Sequence, residues 1–307
     1  MRKPFAQAVA ALAACPDMVF LTGDLGFHAL ESVRDAFGER FLNCGIAEQN
    51  MVSMAAGMAR DGWRPWVYSI APFVYARPFE QIRNDICMHH LPVRLVGNGG
   101  GYGYGAQGST HHALEDCAAM SALPGMRVLV PALDEDIPEM VAKLMELPDP
   151  AYFRLGFDES KGRIAAGPYA PWRRVASGPG LVLCVLGPLV WQACQAAEAL
   201  PPEIRPEVWV VTELPVREVP PPDAFCDALA SKGALCVVEE HFADGGLGAQ
   251  LLHHLCLRGC APHRVAHLCA HTYCGAGHGS QAWERQRNGL DAEGIVAEMR
   301  RIVASAS

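Results

Sequence analysis

Asn43-Cys44-Gly45-Ile46-Ala47-Glu48-Gln49-Asn50-Met51, running on into Val52-Ser53-Met54-Ala55-Ala56-Gly57-Met58-Ala59, is the stretch on which the reading of this chain turns. A short apolar run reaches a turn at Gly45, and an Ala- and Met-rich segment then continues without a breaker until Gly57. The pattern predicts a strand or loop feeding a buried helix that starts at Glu48. A carboxylate in the first helical turn is favoured by the positive end of the helix dipole. With an almost wholly apolar helix behind it, Glu48 is expected where water is scarce, a setting suited to holding or donating a proton. The residues alone also allow Glu48 to do no more than cap its helix by bonding orphan N–H groups.

Composition bounds the rest. The chain has 307 residues, half of them hydrophobic and 19% charged, which suggests two domains with a large buried core. A net charge of −8 and the lack of any basic run exclude a nucleic-acid surface. No apolar stretch reaches the ~18 residues of a membrane span. Met1-Arg2-Lys3-Pro4 leads straight into an amphipathic helix with no signal-peptide pattern, so a cytoplasmic location is expected. The 12 cysteines then read as reduced and mostly buried. Cys256, Cys260, Cys269 and Cys274 are interleaved with six histidines, but the close Cys-x₂-Cys pairs of zinc sites are missing, and no metal site is expected there.

Taken in order, the chain alternates strands and helices. Strands are expected at Met18–Thr22, 63–70, 91–96, 125–131 and 151–154, with helices between them. A Gly- and Pro-rich linker is expected over 157–176, separating a domain at 1–156 from a second α/β domain at 177–307. Alternation in both halves implies two open α/β domains. The loop Gly97-Asn98-Gly99-Gly100-Gly101-Tyr102-Gly103-Tyr104-Gly105-Ala106-Gln107-Gly108-Ser109-Thr110-His111-His112 carries enough glycine to let backbone approach a ligand closely. By itself it could equally be a flexible connector.

Gly45-Ile46-Ala47-Glu48-Gln49 with its small-residue helix resembles the pyrimidine-domain signature of the transketolase family of thiamine diphosphate enzymes. The resemblance implies that Glu48 bonds N1′ of the cofactor's aminopyrimidine and so favours the tautomer that takes the proton from C2. It further implies that Phe73 stacks on that ring, an arrangement that suits an aromatic face, with Ile70 beside it at a position often aromatic in relatives. Asp24 and Leu25 match an Asp-Leu that lines the cofactor and substrate channel, although Asp24 also reads as an ordinary turn residue. Gly108-Ser109-Thr110-His111 resembles the Gly-x-Thr-His whose His assists proton movements at the substrate oxygen, which makes His111 the second catalytic candidate. His112 stands where relatives have Gln. Glu239-Glu240-His241 with Gly245-Gly246-Leu247-Gly248 resembles the C-terminal domain of the family, which mainly supports dimerisation.

The chain also departs from the family. Gln107 replaces an Asp that recognises the aldehyde substrate, His28 replaces a Ser, and the His or Arg that grips a substrate phosphate near Asn98-Gly99-Gly100 is missing. Arg154 matches a phosphate-contacting Arg of some relatives, and reads equally well as a salt-bridge residue. Gly23-Asp24-Leu25-Gly26 lacks the third Gly of the metal-diphosphate motif, and no Asn ligand follows it. Mg²⁺ and the diphosphate are therefore expected on a separate N-terminal subunit, with this chain the C-terminal subunit of a split transketolase in an α₂β₂ assembly. The expected reaction moves a two-carbon ketol unit from a ketose to an aldehyde, both sugars or sugar phosphates. The alternatives are a subunit of a 2-oxo acid decarboxylating enzyme (synthase or E1β type) and a non-catalytic structural or regulatory paralogue.

Overall fold

The computed structural model describes residues 1–26, 28–165, 167–273 and 277–304. Its apolar runs become two open sheets flanked by helices, as the alternating pattern predicts. Twelve strands occur among these residues: β1 Met18–Thr22, β2 Phe41–Asn43, β3 Arg64–Ile70, β4 Arg94–Asn98, β5 Arg127–Leu129, β6 Ala151–Leu155, β7 Trp172–Ala176, β8 Val182–Leu186, β9 Glu207–Val211, β10 Glu213–Leu214, β11 Ala234–Phe242 and β12 Arg264–Ala270. The first sheet has the order β10-β5-β6-β4-β3-β1-β2, and all its pairs are parallel except β10 with β5. The second has the order β12-β11-β8-β9-β7, parallel except for β7 with β9. Central strands of both sheets are buried along their length, which is why they read as continuous apolar runs rather than alternating ones.

Each sheet is covered by amphipathic helices. The N-terminal helix Arg2–Ala11 buries Phe5 and Val9. Phe5 packs on Trp66, Tyr68 and Phe153 at ring separations near 6 Å. The helix Glu48–Arg60 buries Glu48, Met51, Val52, Ala55, Ala56 and Ala59 at helical spacing. Its other face, with Gln49, Asn50, Ser53, Met54 and Gly57, is exposed, so this helix is one-sided rather than enclosed.

Three differences from the expected elements have local causes. The helix expected between the strands at 63–70 and 91–96 is α-helical only over Ala71–Tyr75 and Phe79–Gln81, then widens to a π turn at Ile82–Ile86 and tightens at Cys87–His89. The C-terminal end of the expected linker, Trp172–Ala176, is an edge strand of the second sheet, with Trp172 ring-packed against Phe225. β12, on the opposite edge, lies in the Cys- and His-rich segment whose polar residues disguised it. Cys274 lies outside the described residues.

The two sheets are joined at the end of β11. Glu239, fully buried, accepts from the backbone N–H groups of Leu247 (2.7 Å) and Gly248 (2.8 Å), closing the N-terminus of the helix Leu247–Leu257. His267 Nε2 lies 2.8 Å from the same carboxylate. Burial alone would raise the Glu239 pKa, but the His267 bond and the backbone N–H of Gly248 hold it below 4.5. His241 Nε2 accepts from Ala118 N–H at 3.2 Å in the first domain, while its Nδ1 faces the Phe242 carbonyl oxygen at 2.7 Å. Phe242 N–H in turn donates to Leu114 O at 2.7 Å. The Glu-Glu-His triplet is thus a fastening between domains.

Glu239→Gln keeps the volume and removes the charge. Denaturant unfolding at pH 7 should show a loss of about 2–4 kcal/mol, since hydrogen bonds to a charged group contribute roughly 1.5–3 kcal/mol each. The folded-state pKa is depressed, so this stabilisation is present above the ordinary carboxylate pKa of 4.5 and disappears as pH falls through the lower folded value. The gap between wild type and variant should close over that window.

Candidate active site at the strand ends

The chain crosses from β2 back over β1 to β3, which makes the C-terminal ends of β1 and β3 a switch point of the first sheet. Ligands of open α/β sheets bind outside the carboxyl ends of the strands at such points. Every sequence-derived catalytic residue lies on a segment that leaves the C-terminal end of a strand at or beside this point. Glu48 comes five residues after β2, Phe73 three residues after β3, and the Gly-rich loop begins at the end of β4.

Glu48 is 5% exposed and is the first residue of its helix, behind Ala47, which has no capping side chain. Its carboxylate does not cap the helix. It accepts instead from Arg77, whose Nη1 stands 2.8 Å from Oε1 and 2.9 Å from Oε2. The Arg77 guanidinium carbon also lies 3.8 Å from the Phe73 ring centroid. On Phe73, the His111 imidazole makes an edge contact at 5.1 Å. Glu48, Arg77, Phe73 and His111 therefore form one continuous cluster, assembled from three separate segments. Arg77 was not singled out in the sequence. The only signal for it was its place four residues beyond Phe73, in the turn that follows the helix Ala71–Tyr75.

His111 sits at the end of a loop held by unusually tight packing. At Gly99 (φ +75°) a Cβ would fall 2.3 Å from the Tyr104 ring, so no other residue fits. Tyr104 Oη accepts from the Asn98 amide at 2.6 Å, and its ring lies 6.3 Å from His111. Thr110 Oγ1 is 3.0 Å from His111 Nδ1, which leaves Nε2 for other partners. Burial, with the Arg77 guanidinium nearby, lowers the His111 pKa below 6.5. The imidazole is consequently neutral at pH 7 and able to accept a proton. His112 packs behind the loop, edge-on to Tyr102, with Nε2 at 3.3 Å from Gly105 O.

The remaining expected residues are placed differently. Ile70 ends β3 and is half-buried, three residues before Phe73 of the cluster. Asp24 and Leu25 line a cavity of about 120 Å³ with Thr22, Leu30 and Asn43, and Asp24 Oδ1 is held by the Asn43 amide at 3.2 Å. His28, exposed with φ +60°, lines another cavity beside Arg2, Lys3 and Gln7 of the N-terminal helix. Gln107 is exposed in the loop.

Arg154 is a correction. It is 4% exposed, and its Nε donates to Asp116 at 2.8 Å while Nη2 donates to the carbonyls of Ala113 (2.8 Å) and Glu240 (3.0 Å). Asp116 also accepts from Tyr152 Oη at 2.8 Å. With Nε and Nη2 committed to a buried network, Arg154 takes the salt-bridge reading and ties the two domains together.

The family description "Transketolase, pyrimidine binding domain" matches residues 1–159. The chain belongs to the transketolase family. It is 31% identical over 259 residues to one of the subunits of the apulose-4-phosphate transketolase of Phocaeicola vulgatus, covering 81% of each chain. It is 33% identical over 278 residues to 1-deoxy-D-xylulose-5-phosphate synthase 2 of Geobacter sulfurreducens, covering 86% of this chain but 42% of that protein. The chain thus spans less than half the length of that synthase. A solved structure described as "Split gene transketolase, inactive beta4 tetramer" superposes with a TM-score of 0.84 at 29% identity, covering 99% of this chain and 98% of that one. The expected assignment, a transketolase-type transferase subunit corresponding to the C-terminal part of a split enzyme, therefore holds.

Two measurements follow. In an NMR titration His111 should titrate below 6.5, and Arg77→Met should raise its pKa by removing a nearby positive charge. Arg154→Met leaves Asp116 buried without its cation and should destabilise the fold by about 3–5 kcal/mol. The KM of the enzyme that remains folded should stay at its wild-type value.

Proposed function

We propose that this chain is the cofactor-activating half of a thiamine diphosphate-dependent split transketolase, moving a two-carbon ketol unit from a ketose donor to an aldehyde acceptor. The observation that carries the reading is the convergence of a buried carboxylate, an aromatic face and a neutral imidazole at the strand ends. These residues fit the aminopyrimidine of thiamine diphosphate: Glu48 supplies an acceptor shielded from water, and Phe73 a face for a flat ring. That a planar N–H-bearing group already lies against both supports the fit. When bound, the cofactor supplies a carbanion equivalent and an electron sink. Glu48 holds the ring nitrogen in the required protonation state, Phe73 orients the ring, and His111 moves a proton at the substrate oxygen.

Residues 1–156 form the cofactor-binding domain in this reading and 177–307 the supporting one. Ile70, Asp24 and Leu25 line the cofactor channel, and Gln107 and His28 the substrate approach. The diphosphate and its Mg²⁺ belong to a separate N-terminal subunit in an α₂β₂ assembly in the cytoplasm. Exposed Ile46, Met54 and Met88 offer that subunit an apolar face, on the Glu48 loop and on two helices tied by a Ser53–Asp85 hydrogen bond of 2.9 Å. Unpartnered apolar surface of this kind marks an interaction site. No helix among the described residues is long and apolar enough to cross a membrane.

Calorimetric titration of thiamine diphosphate with Mg²⁺ tests the reading. Binding is expected with the partner subunit present and not to the isolated chain. Glu48→Gln in the complex should lower turnover by about 10²–10⁴, the usual contribution of a positioned proton-transfer group. Full turnover by that variant would remove Glu48 from the mechanism.

A further inference from the structure

Arg77 has no part in the chemistry assigned above, yet it engages two of the three residues that carry it. Its Nη1 donates to both Glu48 oxygens, at 2.8 and 2.9 Å, and its guanidinium carbon is 3.8 Å from the centre of the Phe73 ring. A guanidinium is planar, cationic and rich in N–H donors. It presents an N–H to the carboxylate and a flat face to the aromatic ring, the same two contacts that an aminopyrimidine would make.

We propose that in the cofactor-free chain Arg77 occupies the aminopyrimidine seat as an internal latch, which withdraws when thiamine diphosphate binds. The inference rests on the proposed function, since it takes Glu48 and Phe73 to be the seat. Glu48 is 5% exposed, and a buried carboxylate without a partner is strongly destabilising, so the vacant seat needs a cation. Arg77 is 43% exposed and can turn outward into water without breaking any packed core. Withdrawal is driven by the rest of the cofactor, whose diphosphate is bound elsewhere. A pyrimidine or thiamine lacking the diphosphate has only the contacts that Arg77 already makes, and competes poorly. The latch therefore selects the diphosphorylated cofactor and keeps the carboxylate paired until that cofactor arrives.

The test compares wild type, Arg77→Met and Arg77→Lys in the complex with the diphosphate-binding subunit. Thiamine diphosphate affinity is read by calorimetry and melting temperature without cofactor by calorimetric scanning. Arg77→Met should bind the cofactor about ten-fold or more tightly, the shift that follows if fewer than one molecule in ten has the seat open. It should also melt lower than wild type when cofactor-free, and gain more on cofactor addition. Arg77→Lys keeps the charge but cannot stack, and should fall between the two. In the isolated wild-type chain the Arg77 Cζ resonance should carry an upfield ring-current shift that Phe73→Leu abolishes. Equal or weaker cofactor binding by Arg77→Met, or an unshifted Cζ resonance, overturns the latch while leaving the proposed function intact. Failure of every variant, wild type included, to bind thiamine diphosphate overturns the proposed function and the latch with it.

Discussion

A buried ion pair between Glu240 and Arg285 sets the frame on which the site depends. Both side chains are nearly inaccessible to water, with Arg285 Nε 3.0 Å from Oε1 and Nη2 3.3 Å from Oε2. Gln281 adds a further donor to the carboxylate, and Arg285 reaches on to Glu159. A charge buried so deeply must be paired, so these segments have little freedom to move apart. The carboxylate lies directly against Gly101, where a Cβ would come within 2.5 Å of Oε2. The backbone carbonyl of Glu240 meanwhile takes a bond from Arg154, which holds Asp116 just beyond His112. The Gly-rich loop is thereby pressed between the two domains, and His111 inherits its position from that clamp.

The loop that ends in His111 is consequently not a flexible connector, despite its composition. Its glycines serve close approach: of the Tyr104 ring to Gly99, of Glu240 to Gly101, and of the Gly279–Gln281 backbone to Gly105. Each approach joins residues far apart in the chain except the first. Composition alone reports that such a loop can bend, and only the tertiary contacts decide that it does not.

Most of the strands and helices were legible because the first sheet is parallel and its strands are apolar on both faces. Motif order then identified Glu48, Phe73 and His111, which the structure brings within ring contact or one arginine of each other. Arg77 escaped because an arginine beside a proline in a turn between two short helices has no local mark, and its role arises only from the fold-back of Phe73 toward Glu48. Arg154 resembled a substrate contact because sequence shows a strand-borne arginine but not Asp116, 38 residues away, which claims it. β7 and β12 are edge strands with polar or proline-rich flanks, and edges are where apolar patterning is weakest.

β9 and β10 are consecutive, separated by Thr212 alone, yet they belong to different sheets. Thr212 itself bonds both sides: its carbonyl accepts from Val130 N–H at 2.8 Å and its N–H donates to Pro171 O at 2.9 Å. One extended length of backbone is therefore woven through both domains, and Glu213, buried beside it, is gripped by Arg127, Lys143 and Tyr169. A fibre stitched through two plates makes them shear as one body. Hinge rotation of one domain against the other would have to tear that seam, so admission of a ligand to the strand ends falls to the side chains and loop tips there.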